Sequence, residues 1–320
     1  MLALRFYTGI FCFAMMVCGT ASVSAQGYPD KPIRIVTSEV GGGTDFAARL
    51  IALCLTGGLG QQVIVDNRPS GVIPAQIVAK AAPDGHTLLV AATAFWLLPL
   101  MQNLSYDPVR EFSPISLMTR SPSVLVVHPA VAAKSVKELI ALARASPGEL
   151  NYASGPTGVS NHLAAELFKA MAGVNLVRIP YKGGGPVVNA LIAGEVQVSF
   201  PSAAGVTQHI RSGRLRALAI TSAQPSVLFP ELPTLAASGL AGYESEGLAG
   251  VFAPAKTPAV LINRLNQEIV RCLDRTDVRE KFLKAGLETV GSSPQEFGAK
   301  IKSEITRLGK VIKDAGIRSE

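Results

Sequence analysis

Three tracts of the chain share one design: a short β-rich run, a glycine-rich turn and the start of a helix. The first runs from Ile33 to Val36, through Thr37-Ser38-Glu39-Val40-Gly41-Gly42-Gly43-Thr44-Asp45, into a helix expected from Phe46. The second is Asn151-Tyr-Ala-Ser154-Gly155-Pro-Thr157-Gly-Val-Ser160-Asn-His162, with Ser160 the expected N-cap of a helix to Met171. The third is Pro180-Tyr-Lys182-Gly183-Gly-Gly-Pro186, with Pro186 expected at the first helical position and the helix ending at Gly194. A helix N-terminus exposes unpaired N–H groups and a partial positive charge, which suits an anion. Glycine lets the backbone approach a ligand closely. Hydroxyls at Thr44, Ser154, Thr157 and Ser160 add donors suited to carboxylate oxygens. The competing reading is three ordinary loops whose Ser, Thr and Asp cap helices. Its repetition in one chain favours the anion site.

Other chemistries find less support. There is no Gly-x-Ser-x-Gly elbow of an α/β-hydrolase. Gly41-Gly42-Gly43-Thr44 matches neither a dinucleotide fingerprint nor a phosphate loop. His86, His128, His162 and His209 stand 34 to 47 residues apart, without local metal-ligand spacing. His162 could serve a secreted hydrolase together with a nearby serine, and that is the enzyme alternative, but no acid–base set accompanies it. The chain is read as a binding protein without catalysis, metal or cofactor.

The elements that must position these turns follow from the wider pattern. At 320 residues, 48% hydrophobic and 17% charged, the chain exceeds what one core usually organises, so two domains are expected. Its charge of +7 is dispersed, without the basic clusters and interleaved aromatics of a nucleic-acid reader. Arg5, the apolar run Phe6 to Val17 and the small-residue exit Val23-Ser24-Ala25 make a secretory signal peptide over residues 1–25. Cleavage after Ala25 leaves 295 residues with a charge of +6, since Arg5 is the one charge lost. No later stretch has the length of a membrane span, so a soluble exported protein is expected. Cys12 and Cys18 leave with the signal. Cys54 and Cys272 remain in apolar helical patterns, and whether they pair is open at this stage.

Strand patterns at Pro32–Val36, Val63–Val65, Thr87–Val90, Val124–Val127, Leu150–Ala153, Val177–Ile179 and Val196–Phe200 alternate with helical ones. This argues for α/β units with mostly parallel sheets. The helix from Phe46 is expected to close at Gly57-Gly58. Ser135 and Glu138 form a capping box for a helix to about Ala145. Thr257 is expected to cap a helix through Arg271 with Pro258 at its first position, and Ser293-Pro-Gln-Glu296 to open the last helix. No repeat or long linker separates the units, so the chain is expected to cross between them more than once, leaving a cleft for a small ligand.

The same residues carry a resemblance. The chain is similar to the substrate-binding proteins of tripartite tricarboxylate transporters, the Bug receptor family, from Tyr28-Pro-Asp-Lys-Pro-Ile-Arg34 almost to its C-terminus. Asn67-Arg68-Pro69, Ala79-Lys-Ala-Ala-Pro-Asp-Gly85, Tyr106-Asp-Pro108, Lys134-Ser-Val-Lys-Glu-Leu139, Pro180-Tyr-Lys-Gly183, Gly213-Arg-Leu-Arg-Ala-Leu-Ala219 and Pro233-Thr234 carry it. The resemblance implies a two-lobed, type II periplasmic-binding-protein fold that closes on a small carboxylate. It also implies delivery to a transporter with one large and one small integral membrane subunit. Lobe 1 would be residues 26–124 plus 228–320 and lobe 2 residues 125–227, with the protein a periplasmic monomer. A ligand receptor serving a signalling sensor is the remaining alternative, because both roles need the same closing cleft.

Ligand contacts are then expected from Ser38, Glu39, Gly41, Gly42, Thr44 and Asp45 in the first lobe. Ser154, Gly155, Thr157, Ser160, His162, Lys182, Gly183 and Ser202 would supply the second. The chain also departs from the family pattern. Ser38 stands where an aromatic is common, Glu39 adds a carboxylate, the stretch after Pro69 is shortened to Ser70-Gly71, and Pro201-Ser202 replaces Asp-Asn. If Glu39 faces the cleft, like-charge repulsion disfavours a simple dianion and favours a ligand with one carboxylate and an amino or neutral polar end.

Overall fold

The computed structural model describes residues 27–69 and 71–318. The expected signal peptide, with Cys12 and Cys18, lies outside them, as does Ser70. The first stretch of chain forms β1 (Ile33–Thr37), α1 (Gly43–Leu59), β2 (Val63–Asn67), α2 (Val72–Ala79), β3 (Thr87–Ala92), α3 (Ala94–Leu97) and β4 (Phe112–Pro122). Next come β5 (Val124–Val127), α4 (Val136–Ala145), β6 (Asn151–Ser154), α5 (Ser160–Ala172), β7 (Val177–Pro180), α6 (Gly184–Ala193), β8 (Val198–Ser199), α7 (Ala203–Arg211) and β9 (Arg216–Ile220). The last tract holds β10 (Glu246–Pro254), α8 (Ala259–Leu273), α9 (Thr276–Lys284), β11 (Glu288–Thr289) and α10 (Pro294–Asp314).

These strands build two sheets flanked by helices. The first has the order β11-β4-β10-β3-β1-β2 and the second β7-β6-β8-β5-β9. The chain leaves the first sheet between β4 and β5 and returns to it between β9 and β10, the double crossing anticipated from the missing linker. Parallel pairing is confined to β2-β1-β3 and β7-β6-β8, while β10 and β5 pair antiparallel with both of their neighbours. Each sheet is therefore mixed rather than mostly parallel. Strands next to a crossing enter from the other unit and run against the βαβ strands already there.

Helix boundaries show where local signals were outweighed. α1 continues through Gly57-Gly58 because Leu55 and Leu59 extend its buried stripe, and it ends at Gly60 in the left-handed conformation (φ 71°). α8 starts at Ala259 with Pro258 as N-cap, because the Thr257 hydroxyl donates to Pro254 O at 2.7 Å instead of capping. α4 and α10 behave as read. Ser135 accepts from Glu138 N–H, and Ser293 with Glu296 completes the reciprocal box.

One core joins both sheets. Trp96, Phe112, Phe252 and Phe297 pack with Tyr152, Leu163, Phe168 and Phe200, which places α5 and α10 in the layer between the units. α1, α8 and α9 cover the other face of the first sheet, and α6 and α7 cover that of the second. Cys54 of α1 and Cys272 of α8 form a disulfide, with Cα atoms 5.8 Å apart. Among the described residues no helix is long and apolar enough to cross a membrane.

Candidate functional site

The first glycine-rich turn connects β1 to α1 and is organised by a carboxylate on its inside. Asp45 is 4% exposed. Its Oδ2 accepts from Gly41 N–H at 2.9 Å and its Oδ1 from Asn67 Nδ2 at 2.8 Å, while Arg49 Nε lies 2.9 Å from the same oxygen. Burial pushes the Asp45 carboxyl up, but the Gly41, Asn67 and Arg49 donors outweigh it and hold the group below the usual carboxylate range. Asn67 also donates to Ser38 O at 2.8 Å, and the Ser38 and Thr44 hydroxyls are 2.6 Å apart. Gly41 takes φ +85°, where a side chain would be strained. Asp45 thus shapes the turn from behind. Glu39 is exposed on it, and Gly42 is the N-cap of α1 with no side-chain cap.

The second turn, between β6 and α5, is braced by a residue that sequence reading did not single out. Arg178 of β7 lies opposite Tyr152 in the parallel β6–β7 ladder, and its guanidinium reaches the end of β6. Nε donates to Ser154 Oγ at 2.8 Å, Nη1 to Thr157 Oγ1 at 3.2 Å and Nη2 to Gly155 O at 3.0 Å. Ser154 is fully buried and its hydroxyl donates to Gly155 O at 3.1 Å. Gly155 N–H donates to Asn161 Oδ1 at 3.1 Å. The one sequence signal for Arg178 was a charge inside a β-run just before Pro180-Tyr-Lys182.

His162 is 3% exposed, and its Nδ1 accepts from Gly158 N–H at 3.0 Å. Burial first, and then the Arg178 charge, push its pKa down to about 4. It is a neutral imidazole that holds the turn. With Ser154 bonded to Arg178 and Gly155, the Ser/His pair needed by the hydrolase alternative is not formed. Val159, not Ser160, is the N-cap of α5, and Ser160 is its exposed first residue. The expected cap is displaced by one position because Val159 takes the extended backbone of a cap.

The third turn places α6 from Gly184 with Gly183 as N-cap, so Pro186 is the third helical residue rather than the first. A proline there loses only an N–H that the first turn would leave unpaired. Lys182 is exposed. Ser202 is the exposed N-cap of α7, and its side chain does not cap.

Because β7, β6 and β8 are neighbours, the second and third turns and Ser202 gather at one end of the second sheet. A 520 Å³ concavity lined by Pro156, Pro180, Tyr181, Lys182 and Pro186 lies between the two turns. Gly158, at φ +83°, approaches the first unit so closely that a methyl group on it would lie 2.7 Å from Met101 Sδ. The N-caps of α1, α5 and α6 are Gly42, Val159 and Gly183, none of which makes a side-chain cap. The Ser, Thr and Asp of these turns therefore do not cap these helices. Helix N-termini without side-chain caps offer N–H groups that can take the carboxylates of a small anion. Among the described residues no group of three or more His, Cys, Asp or Glu is placed to hold a metal ion.

A family model described as the tripartite tricarboxylate transporter family receptor matches residues 47–317. Protein BugT of Bordetella pertussis is 38% identical over 304 residues, covering 93% of each chain. The solved structure of R. palustris Rpa4515 with adipate is 34% identical and aligns with a TM-score of 0.73 over 91% of this chain and 99% of its own. MatC from Rhodopseudomonas palustris, solved with bound malate, is 28% identical, with a TM-score of 0.70 over 89% of this chain and 100% of its own.

Proposed function

The chain belongs to the tripartite tricarboxylate transporter receptor family, a family of periplasmic solute-binding receptors and not enzymes, and on that premise we propose that its ligand is a small dicarboxylate held between two lobes. Lobe 1 is residues 26–124 plus 228–320, and lobe 2 is residues 125–227. The carrying observation is the set of glycine-rich turns whose helix N-termini have no side-chain caps. Adipate and malate in the structures of two relatives support the ligand class.

In this reading the turn holding Ser38, Gly41, Gly42 and Thr44 lines the first half of the cleft, with Asp45 shaping it and the exposed Glu39 at its edge. Gly155, Thr157, Ser160, Lys182, Gly183 and Ser202 line the second half, with Ser154 and His162 behind them. A ligand touching both halves stabilises the closed form, which is a population shift between open and closed states. The closed monomer, freed of its signal peptide after Ala25, delivers the ligand to the large and small membrane subunits of its transporter.

The test is a thermal-shift screen of the exported protein against succinate, malate, adipate and amino acids. A ligand at 100 times its dissociation constant adds about 2.7 kcal/mol to the folded state. A saturable rise in melting temperature with dicarboxylates, without turnover, is the expected result. No rise with any of them overturns the ligand class.

A further inference from the structure

Among the described residues, the turns at the end of the second sheet hold two cations without an ion pair, Arg178 and Lys182, and of these only Arg178 is fixed by hydrogen bonds to its turn. A guanidinium carries five N–H donors. Arg178 spends three of them on Ser154 Oγ, Thr157 Oγ1 and Gly155 O, all neutral acceptors of a single turn. Among the described residues it has no ion pair. Glu166, the acid on the adjoining helix, is engaged by Lys169 Nζ at 2.9 and 3.1 Å and by the Tyr152 hydroxyl at 2.5 Å. A part-buried charge gives up hydration, and neutral acceptors return only part of it.

The other basic groups nearby cannot play the same part. His162 uses Nδ1 as an acceptor and is held neutral. Lys182 is exposed, a hydrated point charge on a flexible stem. Arg178 is fixed by three bonds and keeps two N–H groups, one on each Nη, for a further acceptor.

We propose that Arg178 is the specificity-determining cation of the second half-site, shaping the turn with three donors and presenting its charge to a carboxylate of the ligand. This rests on the dicarboxylate reading above and adds the residue that tells an acid from its neutral amide.

The experiment is calorimetric titration of the exported protein, purified from the periplasm, with succinate, malate and adipate, each paired with its diamide. Wild type prefers the acid. Arg178→Gln lowers affinity for the acid by roughly 10- to 100-fold, the effect of losing a charge-assisted bond, and lowers affinity for the diamide by less than about threefold. Arg178→Lys keeps the charge but not the guanidinium, and keeps the preference for the acid. A purely structural brace predicts equal weakening for acid and amide, and that result in Arg178→Gln overturns the proposal, as does no change at all. If Arg178→Gln does not fold, loss of the acid preference in Arg178→Lys overturns it. Wild type that binds none of the acids overturns the dicarboxylate reading and this proposal together, a pattern distinct from a failure seen only in the variants.

Discussion

Ser123 and Thr221 bind the two chain crossings to one another. Ser123 N–H donates to the Thr221 hydroxyl at 2.9 Å, and the Thr221 N–H and hydroxyl both donate back to Ser123 O at 3.0 Å. Ser123 is the single residue between β4 and β5, and Thr221 follows β9, so the pair lies where both segments pass between the sheets. Thr221→Val keeps the shape but leaves the buried Ser123 N–H without an acceptor, at a cost of about 1–3 kcal/mol. Urea denaturation of the variant should show a lower midpoint with an unchanged slope.

The Cys54–Cys272 disulfide closes a sequence separation of 218 residues within one helical layer. It staples the start of the chain to the returning C-terminal tract. Reduction, or the double change to Ala, should destabilise the protein by about 2–5 kcal/mol, mostly by freeing the unfolded chain. Denaturation with and without reductant measures it, and Cys54→Ala/Cys272→Ala should be insensitive to reductant.

Gly158 couples the second turn to the first unit. Gly158→Ala forces a side chain into φ +83° and pushes it against Met101. The strain costs about 1–2 kcal/mol, and Met101→Ala should relieve the contact but not the backbone share. Melting temperatures of the two single variants and the double variant separate the parts.

Glu39 is exposed on the turn before α1. If it borders the ligand, Glu39→Gln raises affinity for dicarboxylates relative to amino acids by about threefold to tenfold, by removing a like charge at part-solvated range. Equal affinities in wild type and variant place Glu39 outside the site.

Two buried groups oppose one another in the pH dependence of stability. Burial pushes the Glu246 carboxyl up to about 7; Arg120 and Lys300 lower it, and Glu244 and Glu304 raise it. Between about pH 4.5 and 7 the folded state holds the extra proton, so this group makes stability fall as pH rises. His162, pushed down to about 4, is protonated only in the unfolded state between about pH 4 and 6.5, so it makes stability rise with pH. Burial raises the neighbouring Glu304 carboxyl too, which adds to the fall. Glu246→Gln should remove its own share of the fall and should be more stable than wild type at pH 8 by about 1–3 kcal/mol. Unfolding free energies of both proteins from pH 4.5 to 8 check the sign.

Much of this protein is written locally. The Ser293–Glu296 box, the strand runs at β1, β3 and β5 and the three glycine-rich turns are decided by residues within a few positions of each other. Periodicity and turn chemistry were enough to find them, and the short family motifs were enough to find the receptor. The tertiary structure decided what each turn residue faces. Asp45 turns inward because Gly41, Asn67 and Arg49 supply donors from two elements. Ser154 and His162 support the second turn because Arg178 arrives from the neighbouring strand and Gly158 N–H is free to donate. The Cys54–Cys272 pairing and the antiparallel strands at the crossings depend on contacts 71 or more residues apart. Local patterns set backbone conformation, whereas hydrogen-bond partners and charge neighbours are chosen only when distant segments pack together. That is why the glycine-rich turns were legible in sequence and the arginine among them was not.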